Sequence, residues 1–240
     1  MTENQDLIAT LTAAPATSID DVLAIMHSID ATLPDADGLK WFNLLYLTVT
    51  RSVLAGATSN GFEDSAWIGH LDVVFANLYF AAAAASVAGG GPAAWRPLFE
   101  ARSAPGIARI QFALAGMNAH INHDLPLALV QAHGDRGTTP DRQSDHYRDY
   151  TSVNAILGAV EIRVKPIMLT GVVRKVDGSL GPLDDVIAMW NVAKAREAAW
   201  ANSAALWHLS GAPPVRTAFV DTLDASVGLA SRGLLVRTQI

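Results

Sequence analysis

The chain has 240 residues, half of them hydrophobic and only 17% charged, with a net charge of −6 and no cysteine. That length can bury a substantial core, that composition argues against general disorder, and the acidic balance offers no basic stripe for DNA or RNA and no attraction to an anionic membrane. Without cysteine there can be no disulfide, thiolate zinc site, iron–sulfur cluster or thiol nucleophile, so any metal would have to use His, Asp, Glu or Asn. The segment Met1 to Asp6 is polar and acidic, unlike the basic-then-apolar start of a signal peptide. The most apolar stretch, Val73 to Ala88, is interrupted by Asn77 and is shorter than a membrane span. A cytoplasmic protein that engages neither nucleic acid nor membrane is expected.

In chain order, Ser18 followed by Asp20 and Asp21 predicts a helix start, with the helix running to about Ala31 and stopping before Pro34. Asp37 to Ala55 predicts a second helix that ends at Gly56. Asp64 can cap a third from Ser65 to about Val87, where Gly89, Gly90, Gly91 and Pro92 end it. A short helix is expected around Ala94 to Ala101. The longest apolar helix follows, from about Ile107 to Ala132. After a polar loop, helices are expected from Ser144 to Val164, Leu183 to Leu209 and Val215 to Arg232. Asp177-Gly178 could instead turn a small hairpin over 172–180. With no internal repeat or composition break, the expectation is an all-α, single-domain multi-helix bundle over 1–240, built around a buried central helix.

The segment from Gly116 to Pro126 carries the most chemistry. Apolar runs flank Asn118, His120, Asn122, His123 and Asp124, and a helix apolar on every side is a buried one. Buried polar groups need partners, because each left unpaired costs about 1–3 kcal/mol. At about 100° per residue, Asn118 and Asn122 share one face and His120 and Asp124 another. The expected working pair is His120 with Asp124, with His123 accessory. Asn118 and Asn122 can tie the helix to its neighbours or bind substrate. Pro126 has no N–H for the carbonyl of Asn122, so a kink or break is expected there.

Elsewhere, His70 and Asn77 share a face of the third helix, as do Asp72 and Tyr79. Asn77 sits in an apolar surround and needs a partner, either the central helix or a substrate. His146 and Asp149 read as a solvated helix start. Glu161 reads as a surface partner of Arg163 or Lys165, and Trp190, Trp200 and Trp207 with Arg196 as bundle packing. His27 and His133 have no evident partner in the sequence.

Leu71 to Tyr79, then Trp95, then Gly116 to Leu129, together resemble an uncharacterised bacterial family, a domain of unknown function numbered 5995. The pattern of the resemblance includes Asn77, Asn118, His120, Asn122 and Asp124, with His123 outside it, and it implies no reaction. His120 and Asp124, four apart on one helix, are also locally similar to a half-site of the helical zinc-dependent phospholipase C and nuclease group.

The expected function is an enzyme acting on a small organic molecule by acid–base chemistry, with His120 as acid or base and Asp124 orienting it. Asn77, Asn118, Asn122 and Tyr79 are the candidate substrate-binding groups. Hydrolysis, elimination, isomerisation and cyclisation are not distinguished, and no cofactor is expected. The alternatives are a divalent-metal hydrolase using His120 and Asp124, with His70, His123 or His146 completing the set, and a non-catalytic small-molecule-binding or structural protein. Homo-oligomerisation stays open.

Overall fold

Ser18 accepts a hydrogen bond from the backbone N–H of Asp21, while the Asp21 carboxylate accepts from the Ser18 N–H, a reciprocal cap that satisfies two donors a helix start would otherwise orphan. The computed structural model describes residues 3–12, 14–59, 61–170 and 191–237. Among them the fold is all-α, with no strand. The helices are α1 (Glu3–Thr12), α2 (Ile19–Thr32), α3 (Gly38–Thr58), α4 (Ser65–Val87), α5 (Arg96–Ala101), α6 (Arg109–Ala119), α7 (Leu125–Arg136), α8 (Asp145–Met168), α9 (Val192–His208) and α10 (Pro213–Leu234). The hairpin expected over 172–180, the start of the helix expected from Leu183, and Trp190 lie outside the described residues.

Caps set most boundaries. Asp37, Asp64 and Ser144 each accept a backbone N–H in the first turn of α3, α4 and α8, Asp64 as the cap expected from the sequence and the other two at expected helix starts. Two expectations needed correction. Helix α3 runs past Gly56 to Thr58, because a helical glycine costs only about 1 kcal/mol and tertiary packing overrides it. Helix α1 was not expected from its polar start; Leu7 and Leu11, four apart on one face, are buried against the bundle and hold it.

Helix α4 extends the apolar stretch from Val73 back to Ser65 and, at 23 residues, is by length and composition alone apolar enough to cross a membrane, which the shorter segment from Val73 to Ala88 did not suggest. Inside the fold it packs on α1, α2, α3, α7 and α8, burying Trp67, Leu71, Phe75, Tyr79 and Phe80. It carries Asp72 within that buried surface.

The central element is continuous from α6 into α7 through one π-helical turn, His120–Asp124. It is walled by α3, α4, α9 and α10. Its approach to α3 is close at reciprocal points. A Cβ on Gly116 would stand 2.3 Å from the Phe42 ring, and one on Gly38 would stand 2.3 Å from that of Phe112. Both glycines are there because a side chain would hold the two helices apart.

Candidate active site

The backbone of the central helix prepares the site. Pro126 lacks an N–H, so the Asn122 carbonyl loses its normal partner. Instead of breaking, the helix takes in one extra residue as a π turn, and the Leu125 N–H bonds to the His120 carbonyl. Single π turns of this kind are rare and recur at functional sites. The two faces read from the sequence survive it. Asn122 donates to the Asn118 side chain at 2.9 Å, and His120 Nδ1 meets Asp124 Oδ2 at 2.9 Å.

Asp124 is the hub. Its Oδ2 accepts from His120 Nδ1 and from Trp95 Nε1 (3.0 Å), and its Oδ1 from His123 Nδ1 (2.7 Å). An ionised carboxylate only accepts hydrogen bonds, so both histidines present an Nδ1–H to it. Burial pushes the Asp124 carboxyl upward, but the hydrogen bonds from the two histidines are the main influences that outweigh it and hold it below the usual range. Burial pulls His120 down, past what Asp124 restores, so its imidazole is neutral. At His123 burial also pulls down, yet the Asp124 bond and the charges of Asp124 and Asp224 raise it overall. One carboxylate thus sits between a neutral and a more basic imidazole.

Trp95 is aimed by α10. The Asp224 carboxylate accepts the backbone N–H groups of Ala93 and Ala94, both at 2.8 Å, and its Oδ1 lies 3.6 Å from His123 Nε2. Gly228 brings α10 so close to that turn that an added Cβ would lie 2.4 Å from the Ala93 carbonyl oxygen.

His120 therefore has a locked Nδ1–H and a free Nε2 lone pair. That Nε2 is buried with no protein hydrogen-bond partner among the described residues. The ring lies flat on Phe75, 3.4 Å between centroids, with the edge of Tyr46 beside it at 4.6 Å. His120 lines a cavity of about 70 Å³, mostly apolar, whose wall also holds Phe42, Tyr46, Asp72, Met117 and Arg196. Asp72 Oδ2 is a second buried polar atom of this cavity wall without a partner, and burial alone raises this carboxyl to about 7. The Tyr46 hydroxyl, one turn from Thr50, makes no well-formed hydrogen bond either. Burial, then the Asp72 charge, push its pKa well up.

The remaining residues singled out in the sequence lie elsewhere. Asn77 spends both ends of its amide on Ala16, accepting its N–H and donating to its carbonyl at 2.9 Å. Asn118 donates to the Val227 carbonyl and the Ser231 hydroxyl, tying the central helix to α10. Tyr79 is buried between Phe42 and Trp95 with its hydroxyl 3.4 Å from Asn43 Oδ1. None of these three, nor Asn122, lines the cavity. His70 pairs with Asp135, His146 with Asp64, His27 with Arg51 and His133 with Thr138, all away from His120. Asp149 is buried rather than solvated, and accepts the N–H groups of Glu63 and Asp64. Among the described residues no three His, Asp or Glu side chains gather as a metal-ligand set. Nδ1 of His120 and Nδ1 of His123 are both turned to Asp124 instead.

Three cavity residues were missed as site candidates: Tyr46, Asp72 and Arg196. Asp72 had a signal, since its helical neighbours three and four away are Ile68, Gly69, Phe75 and Ala76. None of these can pair with a carboxylate, so its partner had to be solvent, another element or a ligand.

An all-α bundle whose central helix carries a buried His–Asp pair at an apolar cavity is the class that the geometry defines. Residues 19–237 match the model of a family of unknown function (DUF5995), and the chain belongs to that family. The match lends no support to the local phospholipase C likeness. Neither a curated protein nor a solved structure matches the chain.

Proposed function

We propose that the protein is an enzyme that moves a proton on a small, largely apolar organic molecule, with His120 as general base and Asp72 as its acid partner. The observation that carries this reading is the buried, unpartnered Nε2 of His120 at the cavity wall, with Nδ1 fixed on Asp124. A neutral imidazole held in one tautomer by a carboxylate is prepared to accept a proton at its other nitrogen. Asp72, with a pKa of about 7, is half protonated near neutral pH and can return one. Pairs of groups whose surroundings push their pKa values apart, here His120 down and Asp72 up, are the usual way to hold a base and an acid ready together. Trp95 and His123 are positioning residues, acting through Asp124.

An isomerisation or an elimination uses both groups without water, which suits a cavity walled mainly by Phe, Leu and Val side chains. The test is a screen of small carbonyl compounds and esters for turnover, repeated with His120→Gln, Asp72→Asn and Asp124→Asn. A loss of about 10²–10⁴-fold for His120→Gln, with little change in melting temperature, is expected. Turnover that survives His120→Gln, or falls only as far as the folded fraction falls, would overturn the reading.

A further inference from the structure

Arg196, on α9, is 7% exposed, and its charge meets no carboxylate among the described residues. Its Nε donates to Asn154 Oδ1 at 2.8 Å and its Nη2 to the Tyr150 carbonyl at 2.6 Å, and the guanidinium lies 4.0 Å over the Tyr150 ring. These are all neutral partners. Arginine is almost never this deeply buried unless it is paired, because an uncompensated charge in the interior is costly. The guanidinium is also pre-aligned, since the Tyr150 stack and two hydrogen bonds fix its plane. Arg196 lines the same cavity as His120, entering from α9 while His120 enters from the π turn.

Asp72 does not supply the missing counter-charge. Burial is the sole cause of its raised pKa, and no nearby cation offsets it. The cavity therefore presents one buried positive charge, a neutral imidazole and the Asp72 carboxyl, which keeps its proton below about pH 7, in an otherwise apolar wall.

We infer that the substrate of the acid–base site is a small apolar monocarboxylic acid whose carboxylate pairs with Arg196, leaving its hydrocarbon part beside His120. This rests on the reading of the cavity as an active site and adds the chemical class of what enters it. Planar guanidinium and planar carboxylate match in geometry, and the pair would be desolvated inside the bundle. The size follows from the space. The cavity holds about 70 Å³, and a second one of about 60 Å³ lies across Leu45, Val49, Met117 and Leu157, which line both. An engineered cavity of about 150 Å³ accepts benzene, and the two cavities together are slightly smaller, so the fit is to a short acid of roughly four carbons, with longer ones having to displace the flexible Met117.

Calorimetric titration of the whole protein with butanoate, hexanoate and octanoate, each compared with the alcohol and the primary amide of equal length, tests this without any turnover. At least one acid is expected to bind ten-fold or more tightly than both neutral counterparts. Arg196→Met should abolish that preference, and Leu157→Trp, which leaves Arg196 in place, should cut acid binding by narrowing the cavity. Equal binding of acid and alcohol, absence of acid binding, or a preference that persists in Arg196→Met would each overturn the inference. Arg196 also ties α9 to α8. If Arg196→Met does not fold, the wild-type comparison together with Leu157→Trp decides, with acid binding unchanged by Leu157→Trp counting against the site. Because His120→Gln leaves Arg196 untouched, a failed acid–base reading shows as turnover retained in that variant, and a failed carboxylate inference as lost discrimination between acid and alcohol.

Discussion

Replacing Asp72 with asparagine removes a carboxyl that the fold holds at a measurable cost. Asp72 is 8% exposed, and burial raises its pKa from 3.8 to about 7. The folded chain therefore keeps this proton over a range of pH in which the unfolded chain has already released it. Below the unfolded value both states carry the proton and the group contributes no pH dependence. Between the two values the folded state binds more protons, so stability falls as pH rises, and above about 7 the loss is complete. At about 1.4 kcal/mol per pH unit the full loss is about 4 kcal/mol, of which only about 1–2 kcal/mol has accrued by about pH 5. Asparagine cannot ionise and keeps nearly the same shape. In urea denaturation, the stability of Asp72→Asn relative to wild type should therefore rise by about 2–3 kcal/mol between about pH 5 and about pH 8, other titrations cancelling in the comparison. A difference that stays constant over that range would show that Asp72 ionises normally in the folded state. It could then not serve as the acid of the site.

Trp95→Phe removes one of the three donors to Asp124 and should cost about 1–2 kcal/mol in denaturant unfolding; an unchanged midpoint would contradict the hub geometry. Gly228→Ala forces a methyl against the Ala93 carbonyl and should destabilise by about 1–3 kcal/mol. It should also shift the Trp95 fluorescence, since that turn holds the indole, and a silent substitution would mean that the approach is looser. Asn77→Ala should lower stability by about 1–3 kcal/mol through the orphaned Ala16 backbone, while leaving ligand titrations unchanged; altered ligand affinity would restore Asn77 to the site.

Much of the site was legible because its first contacts are local. Asn118 with Asn122 and His120 with Asp124 are each four apart, and side chains at that spacing meet on any helix. The caps at Ser18, Asp37, Asp64 and Ser144 are equally local. What was not legible depends on other elements. The response to Pro126 was not legible, since the sequence reading offered only a kink or a break, and the chain instead accommodates the missing N–H with a π turn inside a helix packed on α3, α4, α9 and α10. Asn77 looked like a group reaching for substrate, and its partner is the backbone of Ala16, 61 positions away. Tyr46, Asp72 and Arg196 meet at one cavity from three different helices, α3, α4 and α9. No spacing in the sequence brings them together. The separation of Asp149 from solvent has the same origin, being set by the loop at Glu63 and Asp64.

The base character of His120 can be measured directly, without a substrate, from the two-bond ¹H–¹⁵N correlations of its ring. A ring that is neutral at about pH 7.5 is predicted by burial, with the proton on Nδ1 and none on Nε2 by the Asp124 hydrogen bond. An imidazolium at that pH, or a proton resident on Nε2, would contradict it.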